Sequence, residues 1–312
     1  MMPMRLSENT KLLLVINPKS GNTEQEALKK QIETYFRERG VDFHLFETTG
    51  NNDPQKLRQR IENIHPDVVV AAGGDGTVNM VSSQLMERDI ALGIIPAGSA
   101  NGMATELGIP GAVDEALEVI AAGNTQTIDL LRINDKYLSV HLADLGMNAR
   151  IIRRFDKARI RGFYGYARQF FKELGNPPSF YSTIHADDKP ARRHKAVMVV
   201  VLNTHVYGTG AVMNPTGKID DGKFEVVIIK PYPWYYILRM FVAFFTRQIH
   251  RVRHVRTYSC EQMRLELSPE QELQVDGEHK GEQKSLTAQV LPKALKVIYR
   301  PQPSNPFFDF KD

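Results

Sequence analysis

Apolar residues fall in two alternating patterns through the first part of the chain. "KLLLVIN" (11–17) is an unbroken apolar run and reads as a buried strand. "TEQEALKKQIETYFRERG" (23–40) then places Ala27, Leu28, Ile32, Tyr35 and Phe36 on one helical face, and Gly40 ends it. The same alternation repeats. "VDFHLFET" is a strand, and "DPQKLRQRIENI" is a helix with Pro54 in its first turn. "DVVVAAGG" is a strand, "TVNMVSSQLMER" a helix starting at Thr77, and "IALGIIPAG" a strand. Strands that alternate with helices predict parallel βαβ units joined by right-handed crossovers.

Past Leu131 the pattern changes. A basic and aromatic stretch, 150–174, reads as helical. Strands at hairpin-like spacing follow: "YSTIHA", "AVMVVVLN", "GKFEVVIIK", "QMRLELS", "ELQVDG", "SLTAQV" and "ALKVIYR". Met263, Leu265 and Leu267 alternate with polar residues, as in a sheet with one buried face. The predicted fold class is therefore α/β. Residues 1–131 form a parallel-sheet domain, and 132–300 form an antiparallel β-sandwich or barrel. Residues 301–312 form a Pro- and Phe-containing tail that could pack back on the first domain.

Composition narrows the class without naming a function. The 312 residues suffice for two domains, and 42% hydrophobic with 24% charged is ordinary for a globular protein. One cysteine, Cys260, excludes a disulfide framework and suits a reducing compartment. The start "MMPMRLSENTK" lacks a signal-peptide pattern. The most apolar stretch, "YYILRMFVAFF" (235–245), is too short to span a bilayer and carries Arg239. The net charge of +4 matters only where it is concentrated.

Candidate chemistry begins where the third strand stops. Gly73, Gly74 and Gly76 lie at the carboxyl end of a buried strand, where open parallel sheets bind ligands. Without Cβ atoms their N–H groups can close on phosphate oxygens, and the helix start adds partial positive charge. Asp75 would repel phosphate by itself, but becomes useful beside a metal ion or as acceptor of a hydroxyl proton. Two more donor-rich turns occupy equivalent places. These are "NPKSG" (Asn17, Pro18, Lys19, Ser20, Gly21) and "PAGSANGMATELG", with Gly98, Ser99 and Asn101. Three such turns on one sheet edge point to a nucleotide cleft. The dinucleotide pattern fails because Asn79 stands where its third glycine belongs, and no Walker lysine motif occurs.

In this order the motifs "NPKSG", "GGDGTVN", "IIPAGSANGMATELGIP", "DDGKFEV" and "VDGE" resemble the diacylglycerol-kinase-like lipid kinases. That family includes bacterial diacylglycerol kinases and sphingosine kinases, and the resemblance covers nearly the whole chain. "GGDGT" alone would not discriminate, since NAD kinases and 6-phosphofructokinases carry similar loops. The resemblance implies an α/β nucleotide-binding domain plus an all-β domain, with ATP and Mg²⁺ as cofactors. ATP phosphates would lie on Asn17 to Gly21 and on Gly73, Gly74, Asp75, Gly76, Thr77, Val78 and Asn79. Ser99, Asn101 and Thr48 would add contacts, with Thr49 as close to the pattern as Thr48. Asp221 would give a metal a carboxylate, and Lys218 and Lys223 would give carbonyl oxygens, on what is also an ordinary Asp-Gly hairpin turn. Glu278 is similar to the family's general base, and Asp75 would hold metal or assist.

The acceptor implied is a membrane lipid with a primary hydroxyl, diacylglycerol first. A cytoplasmic enzyme peripherally bound to an anionic leaflet is expected. Residues 149–172 mix arginines with aromatics and suit such a surface, but equally suit a core with a solvated basic face. For 230–256, which holds Trp234, core packing is favoured. His250 and His254 sit among arginines and are not expected to bind metal. No nucleic-acid-reading motif is present, and a homodimer is left open. The rivals are an NAD-kinase-like small-molecule kinase and a non-catalytic nucleotide- or lipid-sensing module. No Asn-Glu dipeptide follows the glycine loop, which argues against the first.

Overall fold

The computed structural model describes residues 6–17, 23–147, 149, 178–204, 206–207, 211–212, 217–233, 235–246, 248 and 252–301. The chain divides into two compact units. The first runs to Thr127 and takes back the chain from Leu295; the second is Ile128–Ala294. The tail beyond Pro301 lies outside the described residues.

The first unit is a parallel sheet. Its strands are β1 (Lys11–Ile16), β2 (Asp42–Glu47), β3 (Val68–Gly73) and β4 (Ala91–Pro96), in the order β2-β1-β3-β4. Beyond β4 lies the end of the last strand, where Val297 pairs in parallel with Leu92. Leu12, Leu13, Leu14 and Val15 are fully inaccessible, as are Val68, Val69, Val70 and Ala71. A strand covered on both faces needs such a run, and each large aliphatic side chain buried contributes about 1.5–3 kcal/mol. Helices α1 (Thr23–Arg37), α2 (Asp53–Ile64), α3 (Asp75–Leu85), α4 (Gly102–Glu106) and α5 (Val113–Ala122) connect the strands. α2 buries Leu57, Ile61 and Ile64, and α3 buries Val78, Val81 and Leu85, at helical spacing.

Strand order reverses at β1: β2 lies to one side of it and β3 to the other. That makes the carboxyl ends of β1 and β3 the switch point of this sheet, where an open α/β fold leaves a crevice. Register brings all four carboxyl ends level. Thr48 N–H reaches the Ile16 carbonyl at 2.9 Å, Ala97 N–H reaches the Gly73 carbonyl at 3.0 Å, and Gly73 pairs with Pro96.

The second unit is antiparallel. β5 (Thr125–Ile133) leads into it and pairs with β6 (Tyr137–Ser139). β7 (Leu142–Gly146), β8 (Phe180–Ala186), β9 (Arg192–Ala196) and β10 (Met198–Leu202) follow. A short ribbon, β11 (Val206–Tyr207) with β12 (Ala211–Val212), precedes β13 (Phe224–Ile229). Helix α6 (Tyr236–Phe245) and strands β14 (Val255–Cys260), β15 (Gln262–Val275) and β16 (Glu278–Ile298) complete it. Strands run β14-β13-β10-β7-β15, with β8 and then β9 also joined to β15.

β10 is buried on both faces. Val199 and Val201 enter one hydrophobic cluster with Phe180, Ile184, Phe224 and Leu265. Val200 and Leu202 enter a second, with Met240 and Ala243 of α6. The apolar 235–245 segment thus packs inward through Met240 and Ala243, while Tyr235 and Val242 stay exposed. Cys260 is buried, and burial with Asp187 nearby pushes its thiol up to about 12, so it is inert.

Three sequence expectations differ. "QMRLELS" and "ELQVDG" belong to one strand, β15, which takes up Ser268 and Pro269 through a register shift between Glu266 and Gln271. "SLTAQV" and "ALKVIYR" likewise belong to β16, with Lys293 in the left-handed region at φ 50°. Proline and a turn-like cluster read as breaks, but the long pairing absorbs both as irregularities. Helix α3 starts at Asp75 rather than Thr77, because Gly74, extended at φ −92°, already serves as its cap.

Candidate functional site

Two loops of the first unit touch backbone to backbone. A Cβ built on Gly98 would lie 2.4 Å from the Gly74 Cα and 2.8 Å from Asn101 Oδ1. A Cβ on Gly74 would lie 3.2 Å from the Gly98 Cα. The glycines after β3 and β4 are therefore needed for the approach of two main chains. Four hydrogen bonds, one of them between the loops, hold this arrangement. Asp75 Oδ1 accepts the Gly102 N–H at 2.9 Å. Asn101, in the left-handed region at φ 51°, accepts the Gly98 N–H and donates to the Gly98 carbonyl, both at 2.9 Å. Thr105 Oγ1 donates to the Asn101 carbonyl at 3.1 Å.

This arrangement sorts the candidates. Asp75 is half-buried and has a structural task, since it caps the short α4 across the two loops. Thr77 and Val78 both direct their N–H groups to the Gly74 carbonyl, at 3.0 and 3.1 Å. Val78 also buries its side chain, so it serves the helix and core. Exposed Gly76 opens the first turn of α3 beside Asp75. Gly73 leaves no room for a Cβ beneath Thr77, whose Oγ1 would be 2.4 Å away. Ser99 is exposed. Asn79 and Asn17 are half-buried and engaged in contacts of their own. Pro18, Lys19, Ser20 and Gly21 lie outside the described residues.

The structure separates Thr48 from Thr49. The Thr49 N–H and hydroxyl both go to Asp53 Oδ1 at 2.9 Å, and the Gly50 N–H goes to Asp53 Oδ2 at 2.6 Å. Burial pushes the Asp53 carboxyl up, but these donors and Lys56 outweigh it and hold it below its ordinary value. Thr49 is thus spent on the start of α2, whereas Thr48 sits at the carboxyl edge beside Ile16.

We expect Gly98→Ala to weaken ATP binding at least about tenfold, because the added methyl pushes one loop off the other. Gly111→Ala is the control, with nothing within 4 Å of its Cβ. Titration calorimetry that finds both variants binding like the parent refutes the close-approach argument.

The remaining candidates lie in the second unit. Glu278 opens β16; its side chain is 63% exposed and its Oε2 pairs with Lys280 Nζ at 2.5 Å. The residue before its glycine is very different. Asp276 is buried, lies at φ 45°, and accepts four hydrogen bonds. These come from Ser139 Oγ at 2.9 Å and from the N–H groups of Val140, His141 and Leu142 at 2.8, 3.1 and 2.9 Å. Gln274, 2% exposed, accepts the Gly277 N–H at 2.7 Å and donates to buried Asp144 at 2.8 Å. Sequence reading placed Asp276 in its motif without this role, and it passed over Gln274. Polar residues on an inward strand face were the available signal.

The Asp221 turn is pinned by another buried carboxylate. Asp129 accepts the Gly222 N–H at 2.6 Å and the Lys293 N–H at 2.7 Å, and Asn203 Nδ2 donates to its carbonyl at 2.8 Å. Asp221 is exposed, as are Lys218 and Lys223, and its Oδ1 accepts the Lys223 N–H at 3.1 Å. No group of three or more His, Cys, Asp or Glu fit to hold a metal occurs among the described residues. A rigid turn with one exposed carboxylate and main-chain carbonyls still offers the all-oxygen donor set that Mg²⁺ takes. His254 Nδ1 is bonded to the Pro231 carbonyl at 2.8 Å and its ring stacks edge-on with Tyr236, while His250 lies outside the described residues. The basic stretch 150–172 and Trp234 also lie outside them. No helix among the described residues is long and apolar enough to cross a membrane.

Comparison with known proteins places this geometry. Residues 11–133 match the diacylglycerol kinase catalytic domain, and residues 142–299 match the YegS C-terminal NAD kinase beta sandwich-like domain. A protein named "Probable lipid kinase YegS" from Salmonella schwarzengrund (strain CVM19633) is 39% identical over 226 residues, covering 69% of this chain and 73% of its own. Its namesake from Salmonella arizonae is 31% identical over the same coverage. A diacylglycerol kinase from Bacillus anthracis str. Sterne has the same fold, with TM-score 0.70 at 21% identity over 94% of this chain and 97% of that one. An NAD kinase from Archaeoglobus fulgidus in complex with ATP is more distant, with TM-score 0.53 at 12% identity and 94% of each chain covered. With an α/β unit and an antiparallel sandwich-like unit matched in order, the chain belongs to the diacylglycerol-kinase-like lipid kinase family and is a kinase.

Proposed function

We propose that this protein transfers the terminal phosphoryl group of ATP to a primary hydroxyl of a membrane lipid, with diacylglycerol as the first candidate. The observation that carries this reading is the Gly74–Gly98 approach. Two loops whose glycines let their main chains touch, and the start of α3, meet beside the switch point of a parallel sheet, and such a place suits the phosphates of a nucleotide. Gly73, Gly74, Gly76 and Thr77 would cradle them, with Asn17, Thr48, Ser99 and Asn101 beside them. Glu278 would take the proton from the lipid hydroxyl as the new P–O bond forms. Asp221 and the carbonyls of Lys218 and Lys223 would hold Mg²⁺. When bound, that ion would offset charge on the phosphate oxygens. Peripheral association with a membrane follows from where such an acceptor resides.

Labelled ATP offered with diacylglycerol, other lipid alcohols and NAD in parallel mixed micelles tests the reading. Label in NAD but in no lipid overturns it. Label in a lipid other than diacylglycerol keeps the reaction and replaces the acceptor. Asp75→Asn separates structure from chemistry at the glycine loop. The amide oxygen still accepts the Gly102 N–H, so the fold is retained. Loss of the negative charge should lower turnover about 10²-fold or more. A parental rate in this variant would leave Asp75 only its capping task.

A further inference from the structure

A cluster of cations in the second unit has no part in the kinase chemistry. Among the described residues β9 pairs only with β8, and β14 only with β13, so both stand at edges of their sheet. Register fixes which face each residue takes. Phe180, Ser182 and Ile184 of β8 stand opposite Ala196, His194 and Arg192 of β9. Phe180, Ile184 and Ala196 all lie in one core cluster, so His194 and Arg192 continue that core-facing side. On β14, Cys260, Tyr258 and Arg256 stand opposite Phe224, Val226 and Ile228 of β13, which belong to the same cluster. On their inner face both edge strands therefore begin cationic, at Arg192 and Arg256, and end apolar, at Ala196 and Cys260.

The two rows meet. His194 Nε2 and the Tyr258 hydroxyl are 2.7 Å apart, and the Arg192 guanidinium lies 6.0 Å from the centre of the Tyr258 ring. Lys230 directly follows β13, with its N–H on the His254 carbonyl at 2.8 Å. Arg192 and Arg256 remain exposed although they sit on the core-facing side, so the interior opens there. Among the described residues no carboxylate pairs with Arg192, Lys230 or Arg256. Asp187, near Cys260 on β14, is occupied by the N–H groups of Glu261 and Gln262. Burial depresses the basicity of His194, and Lys230, Arg192 and Arg256 depress it further, with no opposing acid. Protection of a bare sheet edge does not account for these cations. Arg193 and Lys195 on the outer face already provide that, with Arg193 lying 4.3 Å from the exposed Tyr181 ring.

We propose that this opening between β9 and β14 is a binding site for a phosphate-type anion, held by Arg192, Arg256 and Lys230 around the His194–Tyr258 pair. Guanidinium forks suit tetrahedral oxyanions, and the Tyr258 hydroxyl and a protonated His194 add donors. A free phosphate and the headgroup of an anionic phospholipid share this chemistry. The site is independent of the kinase reading, because its ligand need not react.

The test follows the His194 imidazole resonance, assigned with His194→Gln, while inorganic phosphate replaces chloride at constant ionic strength. Vesicles of phosphatidylcholine with and without phosphatidylglycerol form the second arm. The parent should show a saturable shift and an upward movement of the His194 midpoint. In Arg192→Gln/Arg256→Gln the midpoint should rise without ligand, and apparent phosphate affinity should fall about tenfold or more. The glycine loops are untouched in that variant, so phosphate bound there cannot mimic the result. A shift with inorganic phosphate assigns a soluble ligand, and a shift only with phosphatidylglycerol vesicles assigns a headgroup. No shift in either arm, or an equal response in parent and double variant, overturns the proposal.

Discussion

Glu278→Gln is expected to lower kcat by about 10²–10⁴-fold while ATP affinity stays within about twofold. The amide preserves the length and shape of the side chain but cannot take a proton. A lipid alcohol is a poor nucleophile until its proton has an acceptor, so the loss falls on the chemical step. The side chain is 63% exposed and its partner, Lys280, is on the same strand, so the substitution leaves the fold intact. The measurement is single-turnover transfer from labelled ATP, beside calorimetric titration of ATP. A variant that keeps turnover within about threefold of the parent would remove Glu278 from the reaction.

Asp276→Ala is expected to destabilise the second unit by about 3–5 kcal/mol. Its carboxylate satisfies three main-chain N–H groups and one hydroxyl, all buried, and alanine leaves them without an acceptor. Alanine also tolerates the left-handed backbone at φ 45° less well than aspartate. Ser139→Ala makes the comparison sharp. It removes one donor and leaves Asp276 with three, so it should cost only about 0.5–1.5 kcal/mol. Urea unfolding followed by circular dichroism reads both. If Asp276→Ala is no more costly than Ser139→Ala, the carboxylate is not the keystone of this turn.

The two variants divide one short motif. In "VDGE" the aspartate and the glutamate differ little as sequence, since both are acids beside a glycine in a hairpin. Folding separates them. Asp276 turns inward onto the segment from Ser139 to Leu142, and Glu278 stays at the surface. Gln274 reinforces the difference by holding the Gly277 N–H on one side and Asp144 on the other. Asp75 is a similar case. Its sequence neighbours suggest phosphate or metal, and the structure adds a bond to Gly102, 27 residues away.

Local pattern was enough for the elements of the first unit. Short, fully apolar runs such as Leu12–Val15 and Val68–Ala71 read as strands covered on both faces, and the helices between them show their buried stripe at regular spacing. The second unit was less legible in detail. β15 and β16 run through residues that normally break strands, because pairing with neighbours on both sides outweighs the local preference of a proline or a turn cluster. Thr48 and Thr49 could not be told apart until Asp53 folded back onto Thr49.

The sequence by itself determined the alternation of strands and helices, the glycines after the third and fourth strands, and the family to which they point. These depend on side-chain period and on the absence of Cβ atoms, which are properties of consecutive residues. Tertiary structure alone decided which acid is buried, which threonine is already engaged, and that two cationic edge strands face one another around His194 and Tyr258. Hydrogen bonds and charges act through space; apart from Thr49 and Asp53, four residues apart, their partners here lie tens to more than a hundred residues apart along the chain.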